Sequence, residues 1–271
     1  MTVSALARTV VDDYLTAVDA EVPGLVQGFY LVGSVALDDF HPGSSDIDFL
    51  AVTSGEPDAD QVAALMRAHA RQPRRPTLDG IYVTWSDLRS APDLAAPGPH
   101  VHDSVWHRFC THQRHPVTWH TLAQSGVAIR GPHPSELTVA TDRQALIEWC
   151  LDNLDGYWRS WWRRSSRLLS KPGLACLGSS GPAWGVLGVS RLHYTVATSQ
   201  ITSKRGAGEY ARTAFDTRWR RIIDECLRIR VGTQSPSLYR SPFARRTDAL
   251  AFIEMVITDA HHTAGLGRGP G

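Results

Sequence analysis

No stretch of this sequence approaches the roughly 20 apolar residues that a membrane-spanning helix needs, so a transmembrane helix is excluded first. The opening residues, MTVSALARTVVDDYL, reach acids by Asp12 without a long apolar run, which fits neither a signal peptide nor an anchor. Cysteine is scarce: Cys110, Cys150, Cys176 and Cys226 lie far apart and form no Cys-x-x-Cys pair. That argues against a zinc module and against a disulfide scaffold, and for a reducing, cytoplasmic setting. Lysine is missing from residues 1–140, where 9 Arg face 16 acids, a balance of −7. Residues 141–271 carry 19 Lys and Arg against 11 acids, a balance of +8. The whole chain is thus nearly neutral at +1, which does not suit a nucleic-acid surface.

What is present reads as ordinary globular protein: 271 residues, 42% apolar and 20% charged, enough for two compact domains. Halves of opposite sign imply two lobes of opposite potential. They are either solvated surfaces that attract each other or a setting for ligands of both signs. Residues 3–20 predict an amphipathic helix with Leu6, Val10, Val11, Leu15 and Val18 on its apolar face. Strands are expected at 25–33, 47–53 and 77–85, the last interrupted by Gly80. A helix is expected at 58–72, acidic at its start and basic at its end. A Pro-rich loop at 90–100 and a short edge strand at 126–132 complete an α/β (α+β) first domain with a mixed sheet, residues 1–140. From residue 141 the pattern is helical, with segments at 142–170, 183–201, 215–229 and 245–262. Residues 141–271 therefore predict an all-helical bundle, whose Gly-rich end, 263–271, is expected to fray.

The chemistry concentrates in YLVGSVALDDFHPGSSDIDFLAVT, residues 30–53. Gly33 lets a phosphate approach the backbone. Ser34 offers a hydroxyl, and the N–H groups of the turn after it form an anion site. Asp46 and Asp48, two apart on a strand, point to one face. Two hard oxygen ligands on one face suit Mg²⁺ carrying a triphosphate, with in-line attack at phosphorus as the reaction. The plainer reading, an N-capping Ser and a Ser-Asp turn, leaves Asp48 unexplained between Ile47 and Phe49.

A Gly-Ser turn followed by Asp-x-Asp resembles the nucleotidyltransferase superfamily. The whole chain resembles the aminoglycoside adenylyltransferases of the streptomycin/spectinomycin 3''/9 type, a nucleotidyltransferase domain followed by a helical domain. LDGIYVTWSDL, residues 78–88, is similar to the family segment with the catalytic acid, Glu there and Asp79 here. The resemblance makes Asp79 the base for the acceptor hydroxyl or a further metal ligand; the plainer reading is a strand-start acid before a Gly bulge. It places Trp106 where some members stack a Trp on streptomycin. It makes Arg191 and Lys204, in VSRLHYTVATSQITSK (189–204), nucleotide contacts that close the helical lobe over the nucleotide and acceptor. Ser34 and Ser45 are the expected hydrogen-bond partners of phosphate oxygens.

Other features read plainly. The His-rich stretch at 100–115 matches no familiar zinc spacing and is expected to form a polar surface helix. YWRSWWRRSSR (157–167) reads as a helix with Trp on its core face and solvated Arg. The expected activity is Mg²⁺-dependent transfer of AMP from ATP to a hydroxyl of a small cationic acceptor, an aminoglycoside, by a cytoplasmic monomer. The alternative is a nucleotide-binding regulator or antitoxin-like protein that keeps the fold without turnover.

Overall fold

The computed structural model describes residues 3–73, 75–233 and 235–266. Two compact units, Met1–Asp142 and Arg143–Gly271, account for the chain.

The first unit runs α1 (Ala5–Glu21), β1 (Val26–Leu31), α2 (Gly33–Ala36), β2 (Ile47–Thr53), α3 (Ala59–Ala70), β3 (Leu78–Thr84), α4 (Trp85–Arg89), β4 (Gly98–His102), β5 (Val105–Cys110), α5 (Pro116–Ser125) and β6 (Val127–Arg130). The sheet has the order β5-β4-β3-β2-β1-β6. Only β2 and β3 are parallel; every other neighbouring pair is antiparallel. The crossover between the parallel pair is α3, fixed at its start by an Asp58–Gln61 capping box. Arg67 in its last turn reaches Glu21 of α1.

Both faces of the sheet are covered. On one, α1 and α3 bury Val10, Val11, Val18 and Leu65 against Phe29, Phe49 and Tyr82. On the other, Trp119 and Leu122 of α5 and Leu88 of α4 pack on Tyr30, Leu50, Ile81 and Val83. The apolar stripe of α1 starts at Ala7 and continues through Val10, Val11, Tyr14, Leu15 and Val18. Leu6, expected on that face, is 43% exposed. The true stripe admits Tyr14, whose hydroxyl hydrogen-bonds that of Tyr82 across the core.

Gly80 does not interrupt β3, and the register with β2 is unbroken through it. A side chain is excluded there by packing, since a Cβ would lie 2.1 Å from the Phe49 carbonyl oxygen. The stretch expected as a polar helix at 100–115 is instead a β-hairpin, β4–β5, followed by a loop. Its two-residue turn, Asp103-Ser104, has φ of 50° and 62°, the left-handed pair of a type I′ turn. The Pro-rich segment likewise ends in strand, because β4 begins at Gly98.

The second unit is helical among its described residues. A kinked helix passes from α6 (Arg143–Asn153) through a π-turn at Leu154–Trp158 into α7 (Arg159–Ser166), followed by α8 (Lys171–Ala175), α9 (Ser180–Thr198), α10 (Lys204–Ala214), α11 (Arg220–Val231) and α12 (Pro242–Leu266). Leu146, Cys150, Leu154 and Trp158 are buried, while Arg163 and Arg164 face solvent. The buried α9, lined by Val186, Leu187, Val189 and Val196, forms the centre of the bundle. In α11, Glu225 is fully buried. Its carboxylate accepts from Arg228, Arg245, the Ser237 hydroxyl and the Leu238 N–H. Residues 263–266, expected to fray, continue α12; residues 267–271 lie outside the described residues. No helix among the described residues is long and apolar enough to cross a membrane.

Candidate active site

The carboxylates singled out by the sequence meet at the start of the parallel pair. Asp48 and Asp79 are direct partners in the β2–β3 register, so alternation puts both on the face that carries Leu50 and Ile81. Asp46 precedes β2 by one residue, and its Oδ1 accepts from the Thr77 hydroxyl at 2.7 Å. The same hydroxyl is 3.4 Å from Asp79 Oδ2. Acids on adjacent strands of one face repel, and Thr77 separates two of them.

Gly33 serves this arrangement through shape. It stands at φ 56° at the head of α2, a conformation that L side chains avoid. A Cβ there would lie 2.1 Å from Asp48 Oδ2. The glycine is thus required twice, by its backbone and by the carboxylate against it. Ser34 is half-buried, with its hydroxyl 3.4 Å from the Asp46 carbonyl oxygen. Ser45 is buried, and its hydroxyl accepts the His41 N–H at 3.1 Å, closing the loop before β2. That loop is also held by Asp39, 3% exposed, against His41 Nε2 at 3.0 Å.

Asp79 is 3% exposed. The Asp103 N–H donates to its Oδ2 at 2.9 Å and the Ser104 N–H to its Oδ1 at 3.2 Å. The hairpin turn therefore grips the carboxylate. Burial pushes its pKa above the usual carboxylate value and outweighs the two N–H bonds, with nearby Asp46 adding to the rise and His102 opposing it. A carboxylate of raised pKa is a better proton acceptor than an ordinary one, provided it is ionised. Thr77, Asp103 and Ser104 were missed in the sequence. A two-residue Asp-Ser turn between alternating residues was the available signal.

An open cavity of about 760 Å³ borders Asp46 and Thr77, with Arg75 and His69 on its wall and the Asp103-Ser104 turn at its rim. Its size is that of a small-molecule site. Asp46 and Asp48 offer hard oxygens of the kind Mg²⁺ takes, and the bare backbone at Gly33 makes room for the Asp48 carboxylate itself.

Trp106 is turned the other way. It lies on β5 opposite Val101 and stacks on Tyr82, centroids 5.6 Å apart at 24°, with His69 edge-on at 5.6 Å. It belongs to the α1–α3 face of the sheet, whereas Asp48 and Asp79 are on the opposite face. In the helical unit, Arg191 is half-buried on α9, and Lys204 opens α10 with Nζ 4.8 Å from the Trp184 ring.

Residues 11–89 match the nucleotidyltransferase domain, the segment that contains Gly33, Asp46, Asp48 and Asp79. Residues 155–247 match the aminoglycoside adenylyltransferase C-terminal domain. No curated protein matches this chain. Among solved structures, spectinomycin adenyltransferase AAD(9) from Enterococcus faecialis, crystallised with ATP and spectinomycin, is similar in fold. The identity is 12% and the TM-score 0.60, over 91% of this chain and 99% of that one. The two domain matches, in this order, mark the chain as a transferase of the nucleotidyltransferase type with an aminoglycoside adenylyltransferase C-terminal domain.

Proposed function

We propose that this protein transfers AMP from ATP to a hydroxyl of a small cationic acceptor of the aminoglycoside class. The observation that carries the reading is the in-register pairing of Asp48 with Asp79 beside Asp46, with a glycine where Asp48 needs space. In the reaction, the acceptor oxygen bonds to the α-phosphorus, the bond from that phosphorus to the pyrophosphate oxygen breaks, and pyrophosphate leaves. Asp79 takes the proton of the acceptor hydroxyl. Its burial and two N–H bonds fix the carboxylate in position for that transfer.

Asp46 and Asp48 would hold Mg²⁺, which supplies charge neutralisation to the triphosphate when bound. Ser34 stands beside them as a hydrogen-bond donor for phosphate oxygen. Ser45, already engaged with His41, supports the loop from which Asp46 projects. Arg191 and Lys204 are proposed as nucleotide contacts on the resemblance of residues 189–204. The acids of residues 1–140 favour a cationic acceptor by long-range attraction. Three of the four free cysteines are buried, which suits a reducing cytoplasm, and we take the enzyme to act there as a monomer.

Mass spectrometry of an aminoglycoside panel incubated with the protein and MgATP tests the reading. The expected result is the mass of one AMP added to at least one member, with pyrophosphate released in equal amount. Release of neither product across the panel would remove the acceptor class from the proposal.

A further inference from the structure

The hairpin that grips Asp79 carries a second cluster of chemistry. His100 and His102 alternate along β4, so both point to one face of the sheet, and His107 lies directly opposite His100 on β5. His112, in the loop after β5, folds back over the same face, its ring 5.0 Å from that of His100 and 5.2 Å from that of His102. One ring nitrogen from each of His100, His102 and His112 falls within 4.8 Å of the others. His100 is only 1% exposed, yet neither of its ring nitrogens has a hydrogen-bond partner. A neutral imidazole has one donor and one acceptor to satisfy, and a buried polar atom without a partner calls for an explanation. A bound cation supplies one.

We propose that His100, His102 and His112 form a binding site for a transition-metal ion of the zinc class, separate from the Mg²⁺ site on Asp46 and Asp48. Imidazole nitrogen selects Zn²⁺, Cu²⁺ or Ni²⁺, whereas Mg²⁺ prefers hard oxygen. Zn–N bonds of about 2.0–2.1 Å at tetrahedral angles put ligand nitrogens roughly 3.4 Å apart. His102 and His112 are exposed and can rotate to that spacing while buried His100 stays fixed. A fourth position remains for water or for His107, whose ring stacks 5.7 Å from His100. The ligands come from paired strands and a returning loop, which is why the spacing along the chain matches no familiar zinc pattern.

A rival ligand set shares His102: one ligand atom each from Asp79, His102 and Asp103 also lies within 4.8 Å of the others. Titrating the untagged full-length protein with Co²⁺ or Zn²⁺ under excess Mg²⁺ tests the proposal. The expected result is uptake of one equivalent that Mg²⁺ does not displace, with the visible spectrum of nitrogen-ligated Co²⁺. Losing even an outer partner of a metal ligand costs about 10–100-fold in affinity, so His102→Ala and His112→Ala should each weaken binding by about a hundredfold or more. Both residues are exposed, so circular dichroism should report an intact fold, whereas His100→Ala can fail for structural reasons alone. Asp103→Asn should cost less than either, because the Asp103 carboxylate, 3.7 Å from His102 Nε2, is only an outer partner of that ligand. Any of three results would overturn the site: no stoichiometric uptake, displacement by Mg²⁺, or affinity lost in Asp103→Asn and kept in His112→Ala.

Discussion

Replacing Gly33 with alanine puts a methyl group where Asp48 Oδ2 now lies. The added Cβ would stand 2.1 Å from that oxygen, against the 3.4 Å at which ordinary contact begins, so the carboxylate must retreat by roughly 1.3 Å. A misplacement near 1 Å can cost about a hundredfold in rate. The backbone adds its own penalty, because φ is 56° there and the left-handed conformation costs an L residue about 1–2 kcal/mol. Gly24→Ala isolates that second term, since Gly24 has φ 75° and no atom within 4 Å of the added Cβ. Gly33→Ala should therefore lose at least as much stability as Gly24→Ala in denaturant titrations, the excess reporting the clash with Asp48. Pyrophosphate release with MgATP and acceptor should fall by about a hundredfold in Gly33→Ala alone. Wild-type turnover in Gly33→Ala, or an equal loss of rate in Gly24→Ala, would refute the idea that Gly33 exists to seat Asp48.

Two further outcomes are expected. Arg191→Ala and Lys204→Ala should each weaken ATP binding by about tenfold or more, because a charge-assisted phosphate contact contributes about 1.5–3 kcal/mol; calorimetric titration with unchanged affinity in both would remove them from the nucleotide site. Burial raises the Glu225 pKa, but the hydrogen bonds from Arg228, Ser237 and the Leu238 N–H outweigh it and hold the group at about 2 against 4.5 for the free side chain. Its stabilisation of the helical unit is thus present above pH 4.5 and lost as pH falls from there toward 2, and Glu225→Gln should flatten that part of the acid-unfolding curve.

The elements that hold the nucleotidyltransferase motif were legible because their local chemistry agrees with their tertiary role. The strand over 47–53 has an apolar run that packs both faces, and α3 announces itself by an acidic start and a basic end. The hairpin at 98–110 was not legible, because His, Arg and Trp at alternating positions look polar on any face. Only the fold shows that His100 is buried and Trp106 stacked on Tyr82. That same omission hid the partners of Asp79, since the turn that binds it belongs to the misread segment. Leu6 failed for a different reason: it lies in the first turn, at the edge of a buried stripe that runs from Ala7 through Val10, Val11, Tyr14, Leu15 and Val18. Where burial depends on a neighbour distant in sequence, periodicity alone cannot choose the face.

Asp79 tests how far a catalytic role can be separated from a structural one. Its carboxylate accepts two backbone N–H groups of the hairpin turn, so Asp79→Asn necessarily does two things. It removes the proton acceptor, worth about 10²–10⁴-fold in rate for general-base assistance. It also turns an NH₂ toward one of the two N–H donors, leaving a buried donor unsatisfied at about 1–3 kcal/mol. Loss of both activity and stability in this variant therefore proves little by itself. The pH profile of the wild-type enzyme separates the roles. Because burial raises the Asp79 pKa, a base at this position must be protonated at a higher pH than an ordinary carboxylate. The rate should fall on acidification before any unfolding is seen by circular dichroism. A residue that only anchors the turn would instead leave the rate level until the fold itself gives way. Asp79→Glu supplies the second arm: it keeps a carboxylate, displaced by one methylene, and should retain measurable turnover with an acid limb, at a rate lowered by up to about a hundredfold. Full transfer by Asp79→Asn, or a wild-type rate that tracks unfolding alone, would show that Asp79 holds the hairpin and that the acceptor proton leaves by another route.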